Sequence, residues 1–309
     1  MSPTGKAQLQ IHFCVLLWGF TAIFGRLISL QALALVLWRM AIVVVVLVLV
    51  PSVWRSLRAM PLRTIAAYAG IGILVALHWL TFYTAIKLAD ASVGATCMAV
   101  GPVFLAVVEP LIARSRFDPR ELLLGILVIP GVVLVVGGIP PEMRLGLGIG
   151  IVSALLVALF SALNKRMVEQ ADPLTVTAIE LGAGVLLLAI LAPLLPHSGP
   201  AFPLPDAHDA LLLVALAIGC TLLPYALALH ALRQLSAFSV QLATNLEPVY
   251  AIVLAIPLLG EQRELAPAFY AGVAIILGSV LAHPLFVRKR AHIEHVDILG
   301  GAESKGAES

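Results

Sequence analysis

The chain has 309 residues, of which 61% are hydrophobic and 12% charged, with a formal net charge of +2 and a mean hydropathy of +1.05. Soluble domains run at about 45–50% apolar and about 25% charged, so this chain lacks the polar groups to cover a soluble surface and reads as a polytopic membrane protein. The near-zero net charge says nothing about nucleic acid, and no basic, aromatic-rich patch argues for such a partner.

A hydrocarbon core about 30 Å thick takes roughly 20 apolar residues as helix. That ruler predicts ten spans, at about 9–29, 31–51, 64–86, 91–113, 120–139, 145–166, 174–195, 208–231, 236–259 and 265–287. The first lacks a small-residue cleavage site, so it reads as a span rather than a signal peptide, and it carries Trp18. The second carries Arg39 about eight residues in, where the guanidinium either meets a substrate carboxylate or snorkels to the interface. The run P-S-V-W-R-S-L-R-A-M-P at 51–61 is predicted to be a turn.

In the third span His78, Trp79, Phe82 and Tyr83 form two i, i+4 pairs. The aromatic residues suit either a pathway wall or ordinary packing, and His78 could carry a proton. Pro102 is expected to kink the fourth span, and Glu109-Pro110 to lie at its interfacial end. Gly146 and Gly150 of the sixth span have close-packing spacing. Glu180 in the seventh is too short to reach water, so it must face a cavity, find a partner or stay protonated.

The eighth span carries Tyr225. In the ninth, Gln241, Thr244, Asn245 and Pro248 share one face with Glu247 at its flank, a polar stripe on a helix kinked by Pro248 and a candidate pathway lining. His208, Asp209 and His283 stand at span ends. The tail 288–309 is polar and reads as disordered. Cys14, Cys97 and Cys220 lie in apolar runs and read as small buried hydrophobes, not a metal or disulfide set. No metal or other cofactor is expected.

Most Lys and Arg between spans fall on one side, including Arg55, Arg58, Arg63, Arg114, Arg116, Arg120, Lys165, Arg166 and Arg233; the other side holds only Arg26, Lys87, Arg144 and Arg263. The bias predicts cytoplasmic termini.

An internal repeat runs through these spans. A-I-K-L-A-D-A-S-V-G-A-T-C-M-A-V-G-P-V-F at 85–104 aligns with A-L-R-Q-L-S-A-F-S-V-Q-L-A-T-N-L-E-P-V-Y at 231–250, pairing Lys87 with Arg233 and Pro102 with Pro248. Gly125 and Gly131 align with Gly272 and Gly278 with one residue of slippage, Arg39 falls opposite Glu180, and Trp79 opposite Tyr225. Five spans per half is an odd number, so the halves have inverted topology, the arrangement that suits alternating access. The division is 1–140 and 141–287.

The motifs L-L-W-G-F-T-A (16–22), L-W-R-M-A (37–41), F-Y-T-A-I-K-L-A-D-A-S (82–92), L-E-P-V-Y-A (246–251), Gly260-Glu261 and A-G-V-A-I-I-L-G (271–278) resemble the drug/metabolite transporter superfamily, of the EamA type with two five-helix repeats. The first half departs from the pattern in having Arg114-Ser115 where the second has Gly260-Glu261, and Gly101 where the second has Glu247. The resemblance implies a bacterial inner-membrane permease that exports or exchanges small metabolites such as amino acids or related amphiphiles. Protons are a candidate coupling ion through Glu247, Glu180 and His78, and the expected assembly is a monomer or loose homo-oligomer. An exchanger for nucleotide sugars or sugar phosphates, and a membrane enzyme or receptor, are the alternatives. The sequence has no H-E-x-x-H, no G-x-S-x-G and no Gly-rich phosphate loop to support an enzyme.

Overall fold

A computed structural model describes residues 2–113, 117, 119–167, 169–195, 200–244 and 246–287; the expected tail 288–309 lies outside them. The described elements are helices: α1 Pro3–Leu27, α2 Ala32–Val48, α3 Pro51–Ala59, α4 Leu62–Leu88, α5 Ala91–Met98, α6 Gly101–Ala113, α7 Pro119–Gly137, α8 Arg144–Met167, α9 Pro173–Leu191, α10 Ala207–Ala217, α11 Leu223–Leu232, α12 Ala237–Thr244, α13 Glu247–Leu259 and α14 Pro267–Val287. A π-turn, Ile218–Leu222, joins α10 to α11.

The starts follow local chemistry. Ser2, Asp90, Asp172 and Asp206 each cap a helix by accepting a backbone N–H with the side chain, and Pro3 and Pro173 sit in the first turn, where a missing N–H costs nothing. α13 ends at Gly260 with φ 71°, the left-handed conformation that glycine adopts without a Cβ penalty.

Six described helical stretches are long and apolar enough to cross a bilayer: Pro3–Leu27, Leu62–Leu88, Ala91–Ile112, Pro141–Met167, Pro173–Leu191 and Ala207–Leu232. A seventh arises if α2 and α3, bent by 88°, are taken together. The expected fifth, ninth and tenth spans hold the shorter apolar helices Leu127–Gly137, Glu247–Leu259 and Pro267–Ser279. Residues 51–59 correct the expected turn, since they form a helix with Val53 buried.

The chain returns repeatedly to the same two ends. At one, Ser29 meets Asp209, Lys87 Nζ donates to the Ile28 carbonyl, Glu261 meets Ala91 and Ser92, and Ala266 N donates to the Gly138 carbonyl. At the other, Tyr68 OH donates to Met167 O, Lys165 Nζ to Leu232 O and Leu235 O, and Arg233 Nη2 to Ala171 O. Lys87 and Arg233, aligned in the repeat, thus make the same kind of bond, each tying a span end to the turn between the first two spans of its own half.

The packing partners follow the same exchange. α4 packs on α8 and α11 on α1; α6 packs on α8 and α13 on α1; α2 packs on α9 and α7 on α14. α7 and α14 run antiparallel, with Ser279 bonded near Leu127 and Phe269 against Gly138. At their crossing Gly131 and Gly272 face each other: a Cβ on Gly131 would lie 2.8 Å from Gly272 O, and one on Gly272 2.5 Å from Gly131 O. Gly146 and Gly150 lie against Ala85 and Cys97, as expected of close-packing positions.

Candidate functional site

A cavity of about 120 Å³ lies among α1, α2, α4, α5, α8, α11, α12 and α13. Its walls include Trp18, Trp79, Phe82, Phe160 and Tyr225, with Thr21, Ser161, Asn164 and Thr244 as neutral polar groups. Its ionisable side chains are Arg39, His78 and Glu247. The space runs from Arg39 toward the end where α8 and α11 finish, marked by Asn164 and Leu232.

Arg39 does not snorkel. It is 3% exposed, and each of its nitrogens has a partner: Nε donates to Thr221 Oγ1 at 2.6 Å, Nη1 to Tyr83 OH at 2.7 Å and Nη2 to Cys220 O at 3.3 Å. The guanidinium carbon stands 4.0 Å from the Trp79 ring centroid, a cation–π distance. Thr221 and Cys220 belong to the π-turn, whose wider winding lets a carbonyl turn aside; the Thr221 hydroxyl bonds in turn to Leu216 O at 2.8 Å. A guanidinium has five N–H donors. Described residues take three, leaving two for a ligand.

Glu247 opens α13. The expected kink at Pro248 is a break: α12 stops at Thr244 and α13 starts at Glu247, with Pro248 in its first turn. Before Pro102 the winding is likewise interrupted, between α5 at Met98 and α6 at Gly101, within the single helical stretch Ala91–Ile112. Bonds of the i to i−3 type, Val100 N to Cys97 O and Leu246 N to Ala243 O, both 3.1 Å, bridge the gaps. The break carries the Glu247 carboxylate to the positive end of α13, where the helix dipole favours it, instead of to the flank of a continuous helix. Thr244 lines the cavity beside it. The side chain of Gln241, and Asn245 altogether, lie outside the described residues.

Glu180 is fully buried and stands behind the cavity wall rather than on it. Its Oε2 accepts from Tyr225 OH and from Asn164 Nδ2 at 3.4 Å, while Oε1 has no partner among the described residues. Tyr225 and Asn164 do line the cavity, so Glu180 reaches it through them. Tyr225 packs edge-on against Trp79 at 6.3 Å. Tyr83 also stands off the cavity and acts on Arg39.

His78 lines the cavity with its Nδ1 engaged by α8, 3.0 Å from Ser153 O and 2.8 Å from Ser153 Oγ, and its ring stacks on Phe82 at 6.1 Å. Glu109, expected near the end of its span, is buried at 8% exposure and acts electrostatically on Lys165 at the end of α8. Asp209, read as an unremarkable span end, holds Ser29 N at 2.9 Å and Ser29 Oγ at 2.6 Å. Thr221, Asn164 and Ser153 were not singled out in the sequence: a hydroxyl in a span carries no local signal, and Asn164 is masked by the adjacent Lys165-Arg166.

A helical, multi-pass membrane protein with a charged, aromatic-walled cavity at its centre has the form of a permease. Residues 6–137 and 144–283 each match the EamA-like transporter family, and the chain belongs to that family. An uncharacterized transporter from Archaeoglobus fulgidus is 26% identical over 223 residues, covering 71% of this chain and 74% of that one. A protein of known crystal structure shares the fold with a TM-score of 0.66 at 19% identity, over 92% of this chain and 99% of its own.

Proposed function

We propose that the protein is a ten-span permease of two inverted repeats, 1–140 and 141–287, that moves a small metabolite across the bacterial inner membrane by alternating access, with both termini cytoplasmic. The alternation of chain turns between two ends of the bundle supports the ten spans, and the exchange of packing partners between halves supports the inverted repeat. The substrate class is amino acids or related amphiphiles, exported or exchanged.

One observation carries this reading. Arg39 is held rigidly with two donors free, and Glu247 lies across the same aromatic-walled space. A substrate carboxylate suits the free guanidinium edge, a substrate ammonium suits Glu247, and an apolar side chain suits the rings. The cavity is close in size to the roughly 150 Å³ that accommodates benzene, which favours small solutes. Among the described residues Arg39 is the single cationic side chain lining it, too little charge for a nucleotide sugar or sugar phosphate.

The end away from the cavity is closed, and Glu261 is its latch. From the loop after α13 it accepts from Ala91 N at 2.9 Å, Ser92 N at 3.0 Å and Ser92 Oγ at 2.6 Å, gripping the N-terminus of α5 in the other half. The first half has Arg114-Ser115 at the corresponding place, so the grip has no twin carboxylate and biases the protein toward the state with that end shut. Protons are the proposed coupling ion, carried by Glu247, Glu180 or His78. Uptake of amino acids into liposomes holding purified protein, with and without a pH gradient, tests the reading: saturable uptake lost in Arg39→Ala supports it, indifference to that change overturns the site, and indifference to the gradient removes the coupling.

A further inference from the structure

The basic corner between α2 and α4 takes no part in the cavity. α3 leaves α2 at 88°, so with α2 crossing the bilayer α3 runs near the membrane plane. Val53 packs inward at 4% exposed, while Pro51, Trp54, Arg55 and Arg58 are exposed. At about 100° of rotation per residue these four share one arc of roughly 100°, with Trp54 at one edge and Arg55 at the other. The Trp54 indole N–H donates to Val48 O at 2.7 Å, folding the ring back over the end of α2 to the depth where interfacial tryptophans sit.

Leu49, Pro51, Trp54, Arg55 and Arg58 line a shallow groove of about 460 Å³. Leu49 is 75% exposed, and Leu62, at the start of α4, 80%. Arg63 follows as a third exposed guanidinium. Among the described residues no carboxylate pairs with Arg55, Arg58 or Arg63. Unneutralised cations therefore stand over an apolar floor at the bilayer edge, the charge pattern of a lipid that has both an anionic head and acyl chains. A soluble anion would leave the floor unused.

We propose that the α2–α3 corner binds an anionic phospholipid, its phosphate held by Arg55 and Arg58 and an acyl chain lying along Leu49, Pro51 and Trp54. The test is a thermal-unfolding titration of the detergent-purified full chain with phosphatidylglycerol, phosphatidylcholine of the same chains, or glycerol phosphate. Phosphatidylglycerol raises the melting temperature saturably, and the other two do not. Arg55→Gln with Arg58→Gln raises the half-saturating lipid concentration about 30-fold, the equivalent of about 1 kcal/mol per arginine; Arg55→Lys with Arg58→Lys keeps most of the response. The control pair Arg144→Gln with Arg263→Gln, at the opposite end, leaves it unchanged. Equal protection by glycerol phosphate, or an equal loss in the control pair, overturns the proposal in favour of a soluble anion or of diffuse surface charge.

Discussion

Arg39 shows why a buried charge is tolerated in this bundle. An isolated guanidinium in a span costs about 2.5–3.5 kcal/mol on insertion scales, and here a hydroxyl, a phenol, a carbonyl and an indole face replace its water. Its planar fork matters more than its charge, so Arg39→Lys is expected to keep folding and lower transport about ten- to hundredfold, the value of a charge-assisted bond or two; liposome uptake measures it. Tyr225→Phe leaves the buried Glu180 carboxyl with Asn164 as its remaining described partner, and a drop of about 1–3 kcal/mol in stability is expected in thermal unfolding. Asp90 caps α5 from the turn between α4 and α5. Burial first, then Glu261 and Glu264, push its carboxyl from 3.8 up to about 7, against Val93 N–H and Arg26. Burial makes Asp90 more readily the neutral acid here than in the unfolded chain, so the stability this one group contributes is fully present below about pH 4 and is lost as pH rises through about 7. Protection factors at the Ala91–Val93 amides, with the intrinsic base-catalysed rise of exchange divided out, should fall from pH 5 to pH 8 in the wild type and stay flat in Asp90→Asn, which keeps the Val93 cap; parallel profiles would refute the role of Asp90.

Helix positions were legible in the sequence because the bilayer imposes length and apolarity on them: Arg39, Glu180, Tyr225 and Glu247 each fall in the helix assigned to them. What was not legible arises where backbone bonding is irregular. Pro102 and Pro248 read as kinks, and each follows a short stretch of i to i−3 bonding that interrupts the regular winding, the first inside the single stretch Ala91–Ile112. The segment 51–59 reads as a turn because serines and arginines interrupt its apolar residues, yet it buries Val53 and folds. The π-turn has no sequence signature at all, although it supplies two of the three partners of Arg39. Thr221→Val removes the Nε partner while preserving shape, and the expected result is a raised KM with little change in melting temperature. A large stability loss with unchanged KM would make the π-turn a packing feature.

At the scale of the molecule, the two halves each match the same family model, and on the proposed function they differ at the points where direction and substrate would be chosen. The basic residues Lys87 and Arg233 and the breaks before Pro102 and Pro248 repeat; Glu247 and Glu261 do not. These two carboxyl groups, without a counterpart in the first half, lie one on the cavity and one at the end where Glu261 holds Ala91 and Ser92. The account stands on that cavity being reached from either side of the membrane in turn. Labelling of a single cysteine at Ser161, which lines the cavity, with a membrane-impermeant thiol reagent tests it most directly, in a background without Cys14, Cys97 and Cys220. The account predicts labelling from both faces, faster from the cytoplasmic one, with Glu261→Gln speeding labelling from the opposite face several-fold. Labelling from one face alone, unmoved by Glu261→Gln, would contradict it.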